Sequence, residues 1–153
     1  MRANDLRVEE SSRWGVKALK NYLAYAQNGH LDAGEVTGKE PDSDFERWVM
    51  GMLKESGYEV VPQLGVAGYF IDLAVRDPEK RGAFILGVEC DGAMYHSARS
   101  VRDRDRLRQE VLERLKWNIY RIWSTDWFRN PRAEFLKLSS ALETLRRSDV
   151  PRI

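Results

Sequence analysis

Two apolar runs, separated by a short turn-rich segment, carry carboxylates where a fold tolerates them least. They read Tyr69-Phe70-Ile71-Asp72-Leu73-Ala74-Val75 and Leu86-Gly87-Val88-Glu89-Cys90-Asp91-Gly92. The intervening Asp77-Pro78-Glu79-Lys80-Arg81-Gly82 has loop composition, so the runs read as neighbouring strands. A carboxylate inside an apolar run is costly to bury unless it is paired, protonated or bound to a metal. The chain is thereby held to a sheet that gathers Asp72, Glu89 and Asp91, and such a cluster suggests a divalent-cation site.

The bulk numbers narrow the setting. At 153 residues the chain makes one domain of ordinary size, with 42% hydrophobic and 32% charged residues. A net charge of +1 gives no global field for a polyanion, so a nucleic acid would have to meet a local basic patch. The single cysteine, Cys90, excludes an internal disulfide and fits a reducing cytosol. No apolar run is long enough to span a membrane and the N-terminus lacks a signal-peptide pattern, which leads to a cytoplasmic, soluble expectation.

Periodicity organises the rest. Arg13–Gln27 reads as an amphipathic helix stopped by Asn28-Gly29-His30, and Leu31–Pro41 as a linker. The expected boundaries are therefore 1–41 for helix and linker, a junction to a larger protein, and 42–153 for the main domain. That domain opens with a helix capped at Ser43 or Asp44, whose apolar stripe is Phe45, Val49, Met52 and Leu53. Strands follow over Tyr58–Gln63, Tyr69–Val75 and Phe84–Asp91, with a turn over Gly65–Gly68. Next come a helix over Val101–Lys116 with Leu107, Val111, Leu112 and Leu115 inward, a strand over Trp117–Trp123 and a helix over Pro131–Arg147. Three strands in a meander and a helical crossover to a parallel fourth give an α/β fold bordering on α+β, with a mixed sheet.

Strand alternation puts Phe70, Asp72 and Ala74 on one face, and Tyr69, Ile71, Leu73 and Val75 on the other. Ile85, Gly87, Glu89 and Asp91 share a face of the next strand, where Gly87 leaves room. Asp72 and Glu89 side by side repel unless a cation lies between them, and Mg²⁺ suits oxygen ligands while keeping waters; the alternatives are a strand-end Asp72 bonded to backbone amides and a Glu89 paired with one of the arginines. Glu46 borders the buried stripe of its helix as a further ligand or water-positioning base; its alternative is a solvated or dipole-facing helix charge. His96, just past the third strand, is placed to protonate a leaving group or touch phosphate. Arg104 and Arg108 are set toward the sheet as phosphate clamps, with Arg102 and Arg106 outward; the alternative is a solvated helix laced by ion pairs with Asp103 and Asp105. Trp123, Trp127 and Phe128 read as core, with base stacking the use of Trp127 should it be exposed.

The helix bearing Glu46, the Ile71-Asp72 strand, the Glu89-Cys90-Asp91-Gly92 strand and the ending Tyr120-Arg121-Ile122-Trp123 resemble the PD-(D/E)XK nuclease superfamily. Over Ser43–Phe128 they are most similar to very-short-patch-repair-like domains with restriction-endonuclease cores, some of which end superfamily-one helicase-like proteins. The resemblance implies a DNA endonuclease of repair or defence, using Mg²⁺ or Mn²⁺, with a helicase domain in the same polypeptide as partner. It makes Asp72 the metal-binding aspartate, Glu89 the first acidic residue of the (D/E)XK element and Glu46 the helix glutamate. Asp91 stands where the lysine belongs; Asp91-Gly92 and His96 keep the spacing of the repair relatives' paired histidines with the first replaced. The missing lysine also admits a catalytically silent nucleic-acid-binding or regulatory module. Oligomeric state is not encoded in any of these features.

Overall fold

The computed structural model describes residues 19, 23, 34–92 and 99–148, with the backbone alone over 99–104. Of the expected N-terminal helix only Leu19 and Leu23 fall among the described residues, and both are helical. Helix α1, Asp44–Glu55, begins at Ser43, whose hydroxyl accepts the Glu46 N–H at 3.1 Å. Its apolar stripe buries Phe45, Val49 and Leu53, and it ends at Ser56 before Gly57. Gly57 turns the chain at φ 91°, a conformation that costs glycine little.

Strands β1 (Val60–Val66), β2 (Tyr69–Arg76) and β3 (Phe84–Asp91) form the expected antiparallel meander. Helix α2, Arg99–Arg114, crosses over to β4 (Ile119–Trp123), which lies parallel to β3 in a sheet of order β1-β2-β3-β4. A short helix α3, Ser124–Arg129, which the periodicity did not separate from its surroundings, leads to α4, Pro131–Arg147. Asn130 caps α4 by accepting the Ala133 N–H, and Pro131 takes the first helical position, where no donor is needed. This is an α/β fold with a mixed four-stranded sheet.

Strand β1 runs three residues further than the sequence suggested, because the turn is only Ala67-Gly68. Both residues have positive φ, 52° and 83°, as a tight two-residue hairpin requires. Upstream, Glu35 bridges Gly65 through backbone hydrogen bonds of 2.7 and 2.9 Å, and the Thr37 hydroxyl donates to the Gln63 carbonyl at 2.8 Å. Residues 35–37 therefore lie along the edge of β1.

Apolar side chains gather into two clusters. Phe45, Val49, Leu53, Leu73, Val75, Val88, Ile122, Trp127, Leu138 and Leu142 pack α1, α3 and α4 onto the sheet. Val61, Leu64, Ile71, Ala74, Phe84, Leu112 and Trp117 form the second cluster, beneath α2.

Strict alternation fails at the middle of the hairpin. Leu73 packs in the first cluster and Ile71 in the second, although they were expected on one face. The cause lies opposite Asp72: Gln63 takes the left-handed conformation at φ 49°, and the β1–β2 ladder skips it between Pro62 and Leu64. Ile85 likewise joins Leu86 in the first cluster, beside a register shift at Val75/Arg76. The space expected above Gly87 is filled, since a Cβ there would stand 2.9 Å from Ile119 Cδ1 and 3.1 Å from Ile71 Cγ2. Trp127 is fully buried, whereas Phe128, expected in the core, is 59% exposed and lies against Trp48.

Candidate active site

The β2–β3 ladder stops one step short of the carboxylates. Its last pair is Leu73 with Val88, so the next register position sets Asp72 opposite Glu89. There the Asp72 carboxylate replaces a backbone acceptor: Oδ2 takes the Cys90 N–H at 2.8 Å. Burial pushes the Asp72 carboxyl up to about 6; the Cys90 amide and Arg108 oppose the rise, while Glu46 and Asp91 add to it. These influences place Asp72 within electrostatic reach of α1, β3 and α2 together. Burial also raises the Cys90 thiol far above its usual range, so that it stays protonated.

Glu46 reaches the same region from the first turn of α1 and is 6% exposed, which excludes the solvated-charge alternative. Its Oε2 accepts the Asp42 N–H at 2.8 Å and the Gln63 side-chain amide at 3.0 Å, and its Oε1 accepts the Ser43 hydroxyl at 3.3 Å. With Ser43 accepting the Glu46 N–H, this is a reciprocal helix cap carried into the interior. Sequence reasoning missed Gln63, which is buried in Val60-Val61-Pro62-Gln63-Leu64. The available signal was a lone amide in a strand otherwise apolar.

Glu89 is 3% exposed and forms an ion pair with Arg108 Nη2 through Oε2. Its other oxygen, Oε1, is buried without a hydrogen-bond partner among the described residues. Asp91 pairs with Arg121, Oδ2 to Nε, at 2.8 Å. Arg121 is a second residue the sequence reading passed over; the parallel β3–β4 register sets it beside Glu89. Glu89, Asp105, Arg108, Gln109 and Arg121 line a cleft between α2 and the sheet.

The inward face of α2 differs from the expected one. Leu107 is 47% exposed, while Arg108 and Leu112 turn toward the sheet, because the helix is rotated to bring Arg108 to Glu89. Arg106 faces solvent as expected and pairs with Glu110. Arg104 lies on α2 one turn before Arg108, with its side chain outside the described set, and His96 lies outside the described residues. Burial holds the Arg108 guanidinium below its ordinary pKa, with Asp72 and Tyr69 favouring its charge and Arg121 opposing it.

The donors present suit a hard cation. No cluster of three or more His, Cys, Asp or Glu side chains converges among the described residues. Mg²⁺ asks for less, since it commonly takes one or two carboxylates and keeps its waters. Asp72 and the Glu89 oxygen that has no hydrogen-bond partner among the described residues are the pair that would hold such a cation, and Glu46, already holding three hydrogen bonds, braces the helix end beside them.

Comparison with known proteins fits this architecture. The chain is 24% identical, over 155 residues, to the uncharacterized ATP-dependent helicase MG140 homolog of Mycoplasma pneumoniae, an alignment covering 92% of this chain. The chain spans only 14% of that relative's length. No solved structure matches it. No helix among the described residues is long and apolar enough to cross a membrane. A family match runs over residues 45–142, from the first residues of α1 to the buried Leu142 of α4, and so takes in the whole sheet with its carboxylates. The chain belongs to the restriction-endonuclease-like family REase_MTES_1575.

Proposed function

We propose that the chain is a metal-dependent DNA endonuclease domain, working within a helicase-nuclease polypeptide. The observation that carries this reading is the buried Glu89 oxygen left without a hydrogen bond at the open strand end next to Asp72. A desolvated acceptor of that kind is costly unless a cation or water meets it. Mg²⁺, or Mn²⁺ in its place, would be held by Asp72 and Glu89 and would supply Lewis acidity and an activated water. Glu46 fixes the helix end behind Asp72, and Asp91 holds Arg121 beside Glu89. Hydrolysis consumes one water: its oxygen bonds to phosphorus, the bond to the leaving oxygen breaks, and that oxygen takes up a proton. His96 is proposed as donor of that proton and Arg104 as a phosphate contact. The helicase relative supports a motor in the same polypeptide; DNA as the shared substrate and repair or defence as the setting belong to the proposal.

The Arg108–Glu89 ion pair favours a second reading, a catalytically silent nucleic-acid-binding module, because Glu89 is already neutralised by a side chain. Supercoiled plasmid incubated with the chain and Mg²⁺ or Mn²⁺ separates the two. Nicking that is lost in both Asp72→Ala and Glu89→Ala is expected of the nuclease. Salt-sensitive DNA binding without nicking in either metal would leave the silent module standing.

A further inference from the structure

Phosphodiester hydrolysis builds negative charge on the phosphoryl oxygens, and a site rich in carboxylates must meet that charge with a cation of its own. Two guanidinium groups line the cleft, Arg108 from α2 and Arg121 from β4. They are not equally free. Arg108 grips Glu89 by its outer nitrogen Nη2, and Glu89 has a side chain only 4% exposed. Withdrawing Arg108 would leave that carboxylate buried and unpaired, a severe cost. Arg121 engages Asp91 through the inner nitrogen Nε, and Asp91 is 20% exposed, so water can compensate for a loosened pair. The Arg121 side chain is itself 31% exposed, and its guanidinium carbon lies over Trp123, 5.7 Å from the ring centre. Among the described residues the Nη nitrogens of Arg121 make no hydrogen bond to another side chain. Register sets this free fork next to Glu89.

We infer that Arg121 is the side chain that contacts the scissile phosphate, with Asp91 as the positioning residue that holds its guanidinium in place. The inference rests on the nuclease reading for the word scissile; the phosphate contact itself does not require cleavage. A planar fork anchored at Nε presents two parallel N–H groups, the geometry that matches two phosphate oxygens. Asp91 then serves the reaction through Arg121.

The paired variant Asp91→Asn/Arg121→Gln tests this, because it removes both charges and leaves net charge unchanged. Any fall in the salt dependence of DNA binding then reports a lost contact and not a weaker global field. The plot of log affinity against log salt is expected to lose about 1 from its slope, and plasmid nicking to slow by about 10²- to 10³-fold. Calorimetric Mn²⁺ affinity is expected to stay within a few-fold of wild type. Arg121→Lys, which keeps the ion pair and the fold, should retain the slope and slow nicking by about tenfold through loss of the fork. Arg106→Gln is the control and should change neither slope nor rate. An unchanged slope in the paired variant overturns the inference, whether or not the wild type cuts. A wild type that binds DNA without cutting in Mg²⁺ or Mn²⁺, together with a reduced slope, overturns the nuclease reading alone. A wild type that binds no DNA overturns both.

Discussion

Asp72 is held at a cost that pH reveals. Folded Asp72 keeps its proton up to about pH 6, whereas the unfolded chain releases it near the ordinary aspartate value of 3.8. Between those values the native state binds more protons, so stability falls as pH rises through the window. Above pH 6 the full penalty is present, up to about 3 kcal/mol for a shift of this size. Asp72→Asn keeps an acceptor for the Cys90 N–H and removes the charge. It is therefore expected to raise the melting temperature at pH 7 and to have almost no effect at pH 3.5, measured by calorimetry without divalent metal. An equal gain at both pH values would show that burial of the charge is not the source. The adjacency of Asp72 and Glu89 could be read from sequence because acids interrupt two neighbouring apolar runs in just those positions. Arg121 could not, since an arginine in Tyr120-Arg121-Ile122 looks like an ordinary strand residue until register brings it to a carboxylate; Gln63 left only the faint signal of one amide in an apolar strand, and its partner Glu46 comes from a helix.

Elements were legible where one period dominates. Pro131–Arg147 matches its expected bounds because Asn130 and Pro131 mark its start in chemical terms. The β1–β2 hairpin was misjudged by three residues because Ala67 adopts positive φ without glycine's usual signal. The face assigned to Ile71 was wrong because a left-handed residue on β1 acts on its neighbour across the ladder, which no property of β2 announces. Leu107 was misplaced for a related reason: α2 turns Arg108 toward Glu89 along with Leu112, a polar contact that hydrophobic spacing alone does not contain. The close approach of Ile71 and Ile119 over Gly87 gives a test at this scale. Gly87→Ala must displace both isoleucines, one from each neighbouring strand, and is expected to destabilise the chain by about 1–3 kcal/mol in urea unfolding. If stability is unchanged, the β2–β3–β4 contact is looser than described.

At the scale of the molecule, one sheet separates two apolar layers, and both must be intact for either to be buried. Leu112 lies on α2 and Leu138 on α4, each essentially free of solvent contact. Leu112→Ala and Leu138→Ala are each expected to cost about 2–5 kcal/mol. Both should shift the same single transition, followed by far-ultraviolet dichroism and by tryptophan fluorescence. Two separated transitions in either variant would show that the layers unfold independently.

The crossover to β4 also orders events in time. During synthesis Glu46, Asp72, Glu89 and Asp91 all emerge before Arg108 and Arg121. A nascent chain lacking β4 already carries the Arg108 that pairs with Glu89 but not the Arg121 that pairs with Asp91. Only when β4 docks beside β3 does the second guanidinium join the first. The strand that closes the sheet therefore also completes the charge balance of the cleft, last in the order of the chain.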